Sequence, residues 1–252
     1  MSTINLAIIG AQKAGTTSLK NYLAEHPEVR SHPQLEFSFF RDPNLTESDF
    51  PAYFQKCFTL GDKDAEIKLA KNVGICNSDF AIKRLYEHNP ECKLIYVLRE
   101  PVSRLVSAYN FEKFNGWLNH SLEDVIPVIE ENDKNHVLYK HFLEHGLYSQ
   151  HIERILKYFP REQLKIVFFE RLKSQPLGIL KDICKWVAID SSVQFRTEKV
   201  HNQSKTSRSR RLGKMILFLR TNEKLKRPFR KILPYKVFTR ISNFSRNSGK
   251  AI

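Results

Sequence analysis

The chain has 252 residues, 41 Lys and Arg against 27 Asp and Glu, a formal charge of +14, and 41% hydrophobic residues. That mix belongs to a globular chain and excludes disordered and fibrous classes. No apolar run approaches the roughly 20 residues that span a bilayer, and Met1 to Gly10 lacks the basic region of a secretory signal, so the expectation is a cytoplasmic chain, peripheral to a membrane at most.

In chain order, Ile4 to Ile9 is a short apolar run closed by Gly10 and reads as a buried strand. After a glycine loop, Leu19, Tyr22 and Leu23 recur on one helix face, with a stop near Pro27. Leu94 to Leu98 reads as a second buried strand. Pro101 behind it suits a helix first turn, with Val102, Leu105, Val106 and Tyr109 on one face. Tyr148, Ile152, Ile155 and Phe159 mark another helix, Leu164 to Phe169 a third strand, and Leu177, Leu180, Ile183 and Val187 the helix after it. Strands alternating with helices predict an α/β fold, a central parallel sheet with helices on both faces.

The charge is uneven. From Lys205 onward 15 basic residues stand against one acid, Glu223, whereas residues 1–204 balance at 26 basic and 26 acidic. This predicts a neutral domain over 1–204 and a basic, mostly helical C-terminal segment over 205–252. In that segment Leu212, Met215, Ile216 and Leu219 share a helix face among Arg211, Lys214 and Arg220. Such a helix packs on the domain, lies on an anionic membrane through residues 211–240, or attracts an acidic glycan. No helix–turn–helix, zinc or RNA-binding signature accompanies it, so nucleic acid is not an expected partner. Cys57, Cys76, Cys92 and Cys184 form no C-x-x-C pair and read as reduced thiols; no metal site is expected.

The segment Gly10-Ala11-Gln12-Lys13-Ala14-Gly15-Thr16-Thr17-Ser18 joins a strand to a helix N-terminus. Converging N–H groups and the helix dipole favour an anion there. The loop departs from the ATP type, G-x-x-x-x-G-K-S/T, in which lysine directly follows the second glycine. Thr16 stands in that position, and the lysine lies inside the loop as Lys13. Arg99 ends a predicted parallel strand, where ligands of open α/β sheets bind, and its planar fork suits a phosphate. Ser103 and Ser107, four residues apart, can add a hydroxyl from the following helix.

These segments resemble the signatures of sulfotransferases that use 3′-phosphoadenosine 5′-phosphosulfate (PAPS). GAQKAGTTSL at 10–19 is similar throughout to their 5′-phosphosulfate loop, and Arg99 to Tyr109 is similar to their R-D/E-P-x-x-R-x-x-S-x-Y block. Gly146-Leu147-Tyr148 through Phe159-Pro160 to the strand at 164–169 resembles a third block, that of the polysaccharide-modifying, heparan-sulfate-type branch. The resemblance covers roughly residues 4–210. It implies a P-loop-like fold, PAPS as donor, 3′-phosphoadenosine 5′-phosphate (PAP) as product, and no metal. It places Gln12, Lys13, Ala14, Gly15, Thr16, Thr17 and Ser18 on the 5′ side of the donor. Arg99 and Ser107 would hold the 3′-phosphate, Lys205 and Arg208 would belong to a closing loop, and Lys13 would also act in catalysis.

In that branch a glutamate within K-E-x-x-F-F takes the acceptor proton. Here it is Glu36 in Leu35-Glu36-Phe37-Ser38-Phe39-Phe40, with Leu35 where the branch has lysine. Leu35, Phe37, Phe39 and Phe40 predict an apolar setting, which suits a general base. His32 and His120 are the rival bases. Relatives also carry a G-E-x-S-x-x-Y segment; here it runs Gly74-Ile75-Cys76-Asn77-Ser78-Asp79-Phe80, with Ile75 replacing the glutamate, which points to a different acceptor. The reaction implied is in-line sulfuryl transfer to a hydroxyl or amine of a small-molecule or glycan acceptor. Two other classes stand beside it. A kinase-like phosphotransferase is disfavoured by Thr16 where its lysine belongs; a non-catalytic membrane- or polyanion-binding protein would rest on the basic segment alone. Motifs of this kind carry no oligomeric state.

Overall fold

The computed structural model describes residues 3–58, 65–116 and 138–198, with isolated positions at 118, 121, 123, 126, 127 and 131. His120, the expected boundary at 204/205, Lys205, Arg208 and the 211–240 helix lie outside the described residues. The chain forms two compact units, Met1–Arg104 with Glu144–Asn202, and Leu105–Leu143 with Gln203–Ile252.

The first unit is built on five parallel strands, β1 (Leu6–Gly10), β2 (Val29–Ser31), β3 (Ile67–Lys71), β4 (Lys93–Leu98) and β5 (Leu164–Phe168), in the order β2-β3-β1-β4-β5. Every residue of β1 is buried, as expected of a parallel strand covered on both faces. The connections carry α1 (Thr16–Leu23), α2 (Phe50–Phe58), α3 (Asp79–His88), α4 (Pro101–Phe114), α5 (Tyr148–Leu156), α6 (Phe169–Ser174) and α7 (Pro176–Val187). From β1 the chain runs to β2 on one side of the sheet, and from β3 it crosses to β4 on the other side. The carboxyl end of β1 is thus the point at which ligands of such sheets bind.

Some elements differ from expectation. The strand β3, Ile67-Lys68-Leu69-Ala70-Lys71, sits inside the sheet although it carries two lysines. Of these, Lys71 is buried and engaged by Glu36. In α2, Phe50, Phe54, Cys57 and Phe58 are buried on one helix face. They join Phe37, Phe39 and Phe40 in an aromatic cluster, with Phe54 and Phe58 stacked at 4.3 Å. The buried face of α4 is not the one its valines predict: Val102 is 66% exposed, whereas Arg104, Ser107 and Ala108 are buried. Ser78 caps α3 by accepting from the Ala81 N–H at 3.2 Å. In the second unit Ala108, Tyr109, Leu118 and Phe142 form a small apolar cluster. The four cysteines are free and buried.

Candidate active site

The loop after β1 is shaped by two glycines. A Cβ on Gly10 would come within 2.7 Å of Cys76 Sγ and 2.8 Å of Tyr96. Gly15 has φ +78°, and a Cβ there would meet Phe169 at 2.9 Å. The Ala11 N–H donates to the Val97 carbonyl at 2.8 Å, tying the loop to β4. Lys13 takes a left-handed φ of 66°, which costs a non-glycine residue about 1–3 kcal/mol. The following helix opens without a cap: Gly15 offers no side chain, and the first turn of α1 holds no acid. The first repeating bond is Leu19 N–H to Gly15 carbonyl, so the N–H groups of Thr16, Thr17 and Ser18 precede the ladder. They present the positive end of the helix dipole beside Lys13. Gln12 Oε1 is buried with no hydrogen-bond partner, and the Ala14 side chain is buried, which leaves its backbone to the loop.

The end of β4 supplies Arg99, held at both ends. Its N–H donates to Tyr148 Oη at 3.4 Å, and the Tyr148 hydroxyl donates to the Arg99 carbonyl at 2.8 Å. Burial pushes the Tyr148 phenol pKa up, so it remains a donor. The guanidinium donates from Nη1 to the Lys13 carbonyl at 3.0 Å and lies 4.7 Å over the Phe169 ring. Arg99 Nε is buried with no hydrogen-bond partner. The neighbouring acid does not pair with it: Glu100 accepts from the Val102 and Ser103 N–H groups at 2.8 and 2.6 Å and caps α4. Hydrogen bonds from Ser103, then Val102, hold the Glu100 carboxyl below its usual range. Ser107 belongs to the second unit and is buried on α4.

Glu36 has a different setting from the apolar one expected. Phe37, Phe39 and Phe40 are buried in the core and Leu35 is 61% exposed, while the Glu36 side chain turns to a cation. Lys71 Nζ donates to Glu36 Oε1 at 2.5 Å, and the Val73 N–H donates to Oε2 at 3.0 Å. Lys71 Nζ also donates to the Leu35 carbonyl at 3.1 Å, and the Phe37 N–H donates to the Lys71 carbonyl at 2.8 Å. Burial lowers the Lys71 pKa, with Glu36 opposing the shift. A second buried lysine stands behind: Lys20 Nζ donates to the His32 and Gln34 carbonyls, each at 2.9 Å. Burial, then Lys71, lowers its pKa to about 8. The rival base His32 accepts the Lys71 N–H on Nε2 at 3.1 Å and is pushed to about 3 by burial, then by Lys20 and Lys71. Its one basic nitrogen is thereby used within the core.

The structure therefore gathers Lys13, the first turn of α1 and Arg99 at the carboxyl ends of β1 and β4. It pairs Glu36 with Lys71 at the end of β3. Reading the sequence missed Lys71 and Lys20. The available signal for Lys71 was a lysine directly after the apolar pair Leu69-Ala70. Among the described residues no group of His, Cys, Asp and Glu is arranged to hold a metal ion.

A family model described as "Sulfotransferase domain" matches residues 4–220. The chain belongs to the sulfotransferase family. This sulfotransferase is 29% identical over 197 residues to the human bifunctional heparan sulfate N-deacetylase/N-sulfotransferase 2, a match covering 75% of this chain and 22% of that protein. To the human enzyme 3 of the same name it is 27% identical over 190 residues, covering 72% of this chain and again 22% of the relative. The sulfotransferase thus spans about a fifth of the length of these curated relatives. Among solved structures it is similar to a sulfotransferase from Alicyclobacillus acidocaldarius, with TM-score 0.67, 25% identity, and coverage of 80% of this chain and 87% of that one. It shares its fold with the sulfotransferase domain from the curacin biosynthetic pathway, at TM-score 0.54 and 16% identity over 96% of this chain and 97% of that one. The chain has an α/β fold of the P-loop-like class, and the kinase and non-catalytic readings are not favoured.

Proposed function

We propose that this sulfotransferase takes its sulfuryl group from PAPS and delivers it to a hydroxyl or amine of a saccharide. The observation that carries the donor assignment is the join between the loop and Arg99. An uncapped helix N-terminus with Lys13 beside it and a strand-end guanidinium with an unpartnered buried Nε meet through the Arg99–Lys13 hydrogen bond. Two anion-seeking groups so connected fit a nucleotide with phosphates on both sides of its ribose. When bound, PAPS supplies a sulfuryl group joined to a phosphate that leaves.

This chain's residues do the rest. The loop N–H groups, Thr16, Thr17 and Lys13 stabilise negative charge on the 5′ side. Arg99 binds the 3′-phosphate and fixes register. Glu36 receives the acceptor's proton, each carboxylate oxygen keeping lone-pair capacity beyond its bond to Lys71 or Val73. Lys71 positions that carboxylate. The saccharide assignment is supported by the names of the relatives and by the E-x-x-F-F context of Glu36.

Isothermal titration without magnesium tests the donor. PAP is expected to bind at least about tenfold more tightly than AMP, a charge-assisted contact contributing about 1.5–3 kcal/mol, and Arg99→Ala should erase the difference. Equal affinity for PAP and AMP in the unmodified protein would remove the 3′-phosphate site. Tyr148→Phe keeps the ring and deletes both bonds to the Arg99 backbone. It should weaken PAP binding by about three- to tenfold with kcat at saturating donor little changed; a fall in kcat alone would contradict the positioning role.

A further inference from the structure

Lys20 has no task in this scheme, and its place in the fold is unfavourable for an ammonium. It lies on α1 one helical turn after Thr16 and is 5% exposed. Among the described residues, no carboxylate lies within ion-pair distance of it. Burial and the nearby Lys71 ammonium both work against its charge, with Glu36 opposing them. An apolar side chain of similar length would fill the same space without that penalty.

What the ammonium reaches gives the reason. At one end, α1 opens at the donor loop, where the N–H groups of Thr16, Thr17 and Ser18 precede the helical ladder. At the other, Lys20 Nζ donates to the carbonyls of His32 and Gln34, each at 2.9 Å. Those two residues leave β2 and lead directly to Glu36, in a stretch, 32–38, that belongs to no helix or strand. Without regular structure such a stretch takes its position from its ties. Towards β3 these are the Lys71 N–H to His32 Nε2 at 3.1 Å, the Phe37 N–H to the Lys71 carbonyl, and the Lys71–Glu36 pair. Lys20 adds the tie to α1.

From this geometry we infer that Lys20 is a positioning residue, whose ammonium staples the base-bearing stretch to the donor-binding helix and so fixes the separation of Glu36 from the sulfuryl group. The inference rests on the sulfuryl-transfer reading above. In-line transfer requires the acceptor atom to lie between base and sulfur, and a misplacement of about 1 Å costs about a hundredfold in rate. Two bonds to carbonyls two residues apart hold the stretch in direction as well as distance. Lys20 touches neither donor nor acceptor in this scheme and acts through Glu36.

The test uses the full chain with Lys20→Met, which keeps the stem and removes the donors. At saturating PAPS and a glucosamine-bearing acceptor, kcat should fall by about ten- to a hundredfold. PAP affinity and acceptor KM should stay within about twofold. In a Glu36→Gln background the same substitution should cost nothing further, because an absent base cannot be misplaced. Equal losses of kcat in both backgrounds, or a loss confined to KM or PAP affinity, overturn the inference. Hydrogen exchange supplies a readout independent of turnover. In the unmodified protein PAP should protect the amides of 32–38 along with those of α1. Protection of α1 alone overturns the staple, even if Lys20→Met does not fold. In the donor-free protein Lys20→Met should speed exchange in 32–38 by about tenfold; unchanged exchange there also overturns it. Failure to bind PAP overturns the functional reading instead, and the donor-free exchange still decides whether Lys20 holds the stretch.

Discussion

Lys13→Ala is expected to lower kcat by roughly a hundred- to a thousandfold, the range seen when one preorganised transition-state donor is removed. PAP affinity should fall much less, because the α1 N-terminus and Arg99 remain. The split follows from where the lysine sits. It is inside the loop at a left-handed backbone position, next to the uncapped first turn of α1, where leaving-group charge would grow. A residue that merely added ground-state attraction would change KM and spare kcat. Steady-state kinetics with saturating donor, beside titration with PAP, separates the two; near-normal kcat in the variant would rule out a role in stabilising the leaving group. Lys13→Arg should restore little, since a planar fork replaces a point charge at a site defined by tight backbone approach.

Glu36→Gln is expected to reduce kcat by roughly a hundred- to ten-thousandfold while leaving the fold and PAP binding intact. The amide keeps the size of the carboxylate but cannot accept a proton. The pairing with Lys71 makes a sharper test available. Lys71→Met should also lower kcat, because it frees a carboxylate now held by the ammonium at 2.5 Å. If Lys71 acts by positioning Glu36, the double variant should be no slower than Glu36→Gln alone. Fully additive losses would give Lys71 a task independent of Glu36. Single-turnover rates with PAPS and a glucosamine-bearing acceptor would measure this.

Much of the arrangement around the loop after β1 was legible in the sequence because it is local. Glycine spacing sets the loop, and the strand end before Glu-Pro marks Arg99; that Glu100 turns away to cap α4 was not read from the sequence. The acceptor side was less legible because it depends on contacts distant in sequence. Glu36 was recognisable by its E-x-x-F-F context, yet its surroundings were misjudged. The phenylalanines turn into the core, and the carboxylate meets Lys71, 35 residues further on. Strand β3 escaped notice for a related reason: its lysines look like solvent-facing residues until Glu36 and the carbonyl of Leu35 are placed opposite Lys71. The buried face of α4 was misjudged because periodicity weighs valines as inward and arginines as outward, whereas Arg104 is buried and Val102 is not.

The hydrogen bond from Arg99 to the Lys13 carbonyl has a consequence for discrimination among nucleotides. On the proposed donor assignment it links the two elements that would hold the phosphates, so their separation would be fixed by the protein. A nucleotide with its second phosphate moved from the 3′ to the 2′ oxygen carries the same charge but the wrong span, and a prefabricated gap cannot follow it. Selectivity of this kind is read in length rather than in charge, and salt should weaken binding of both isomers without erasing the difference between them.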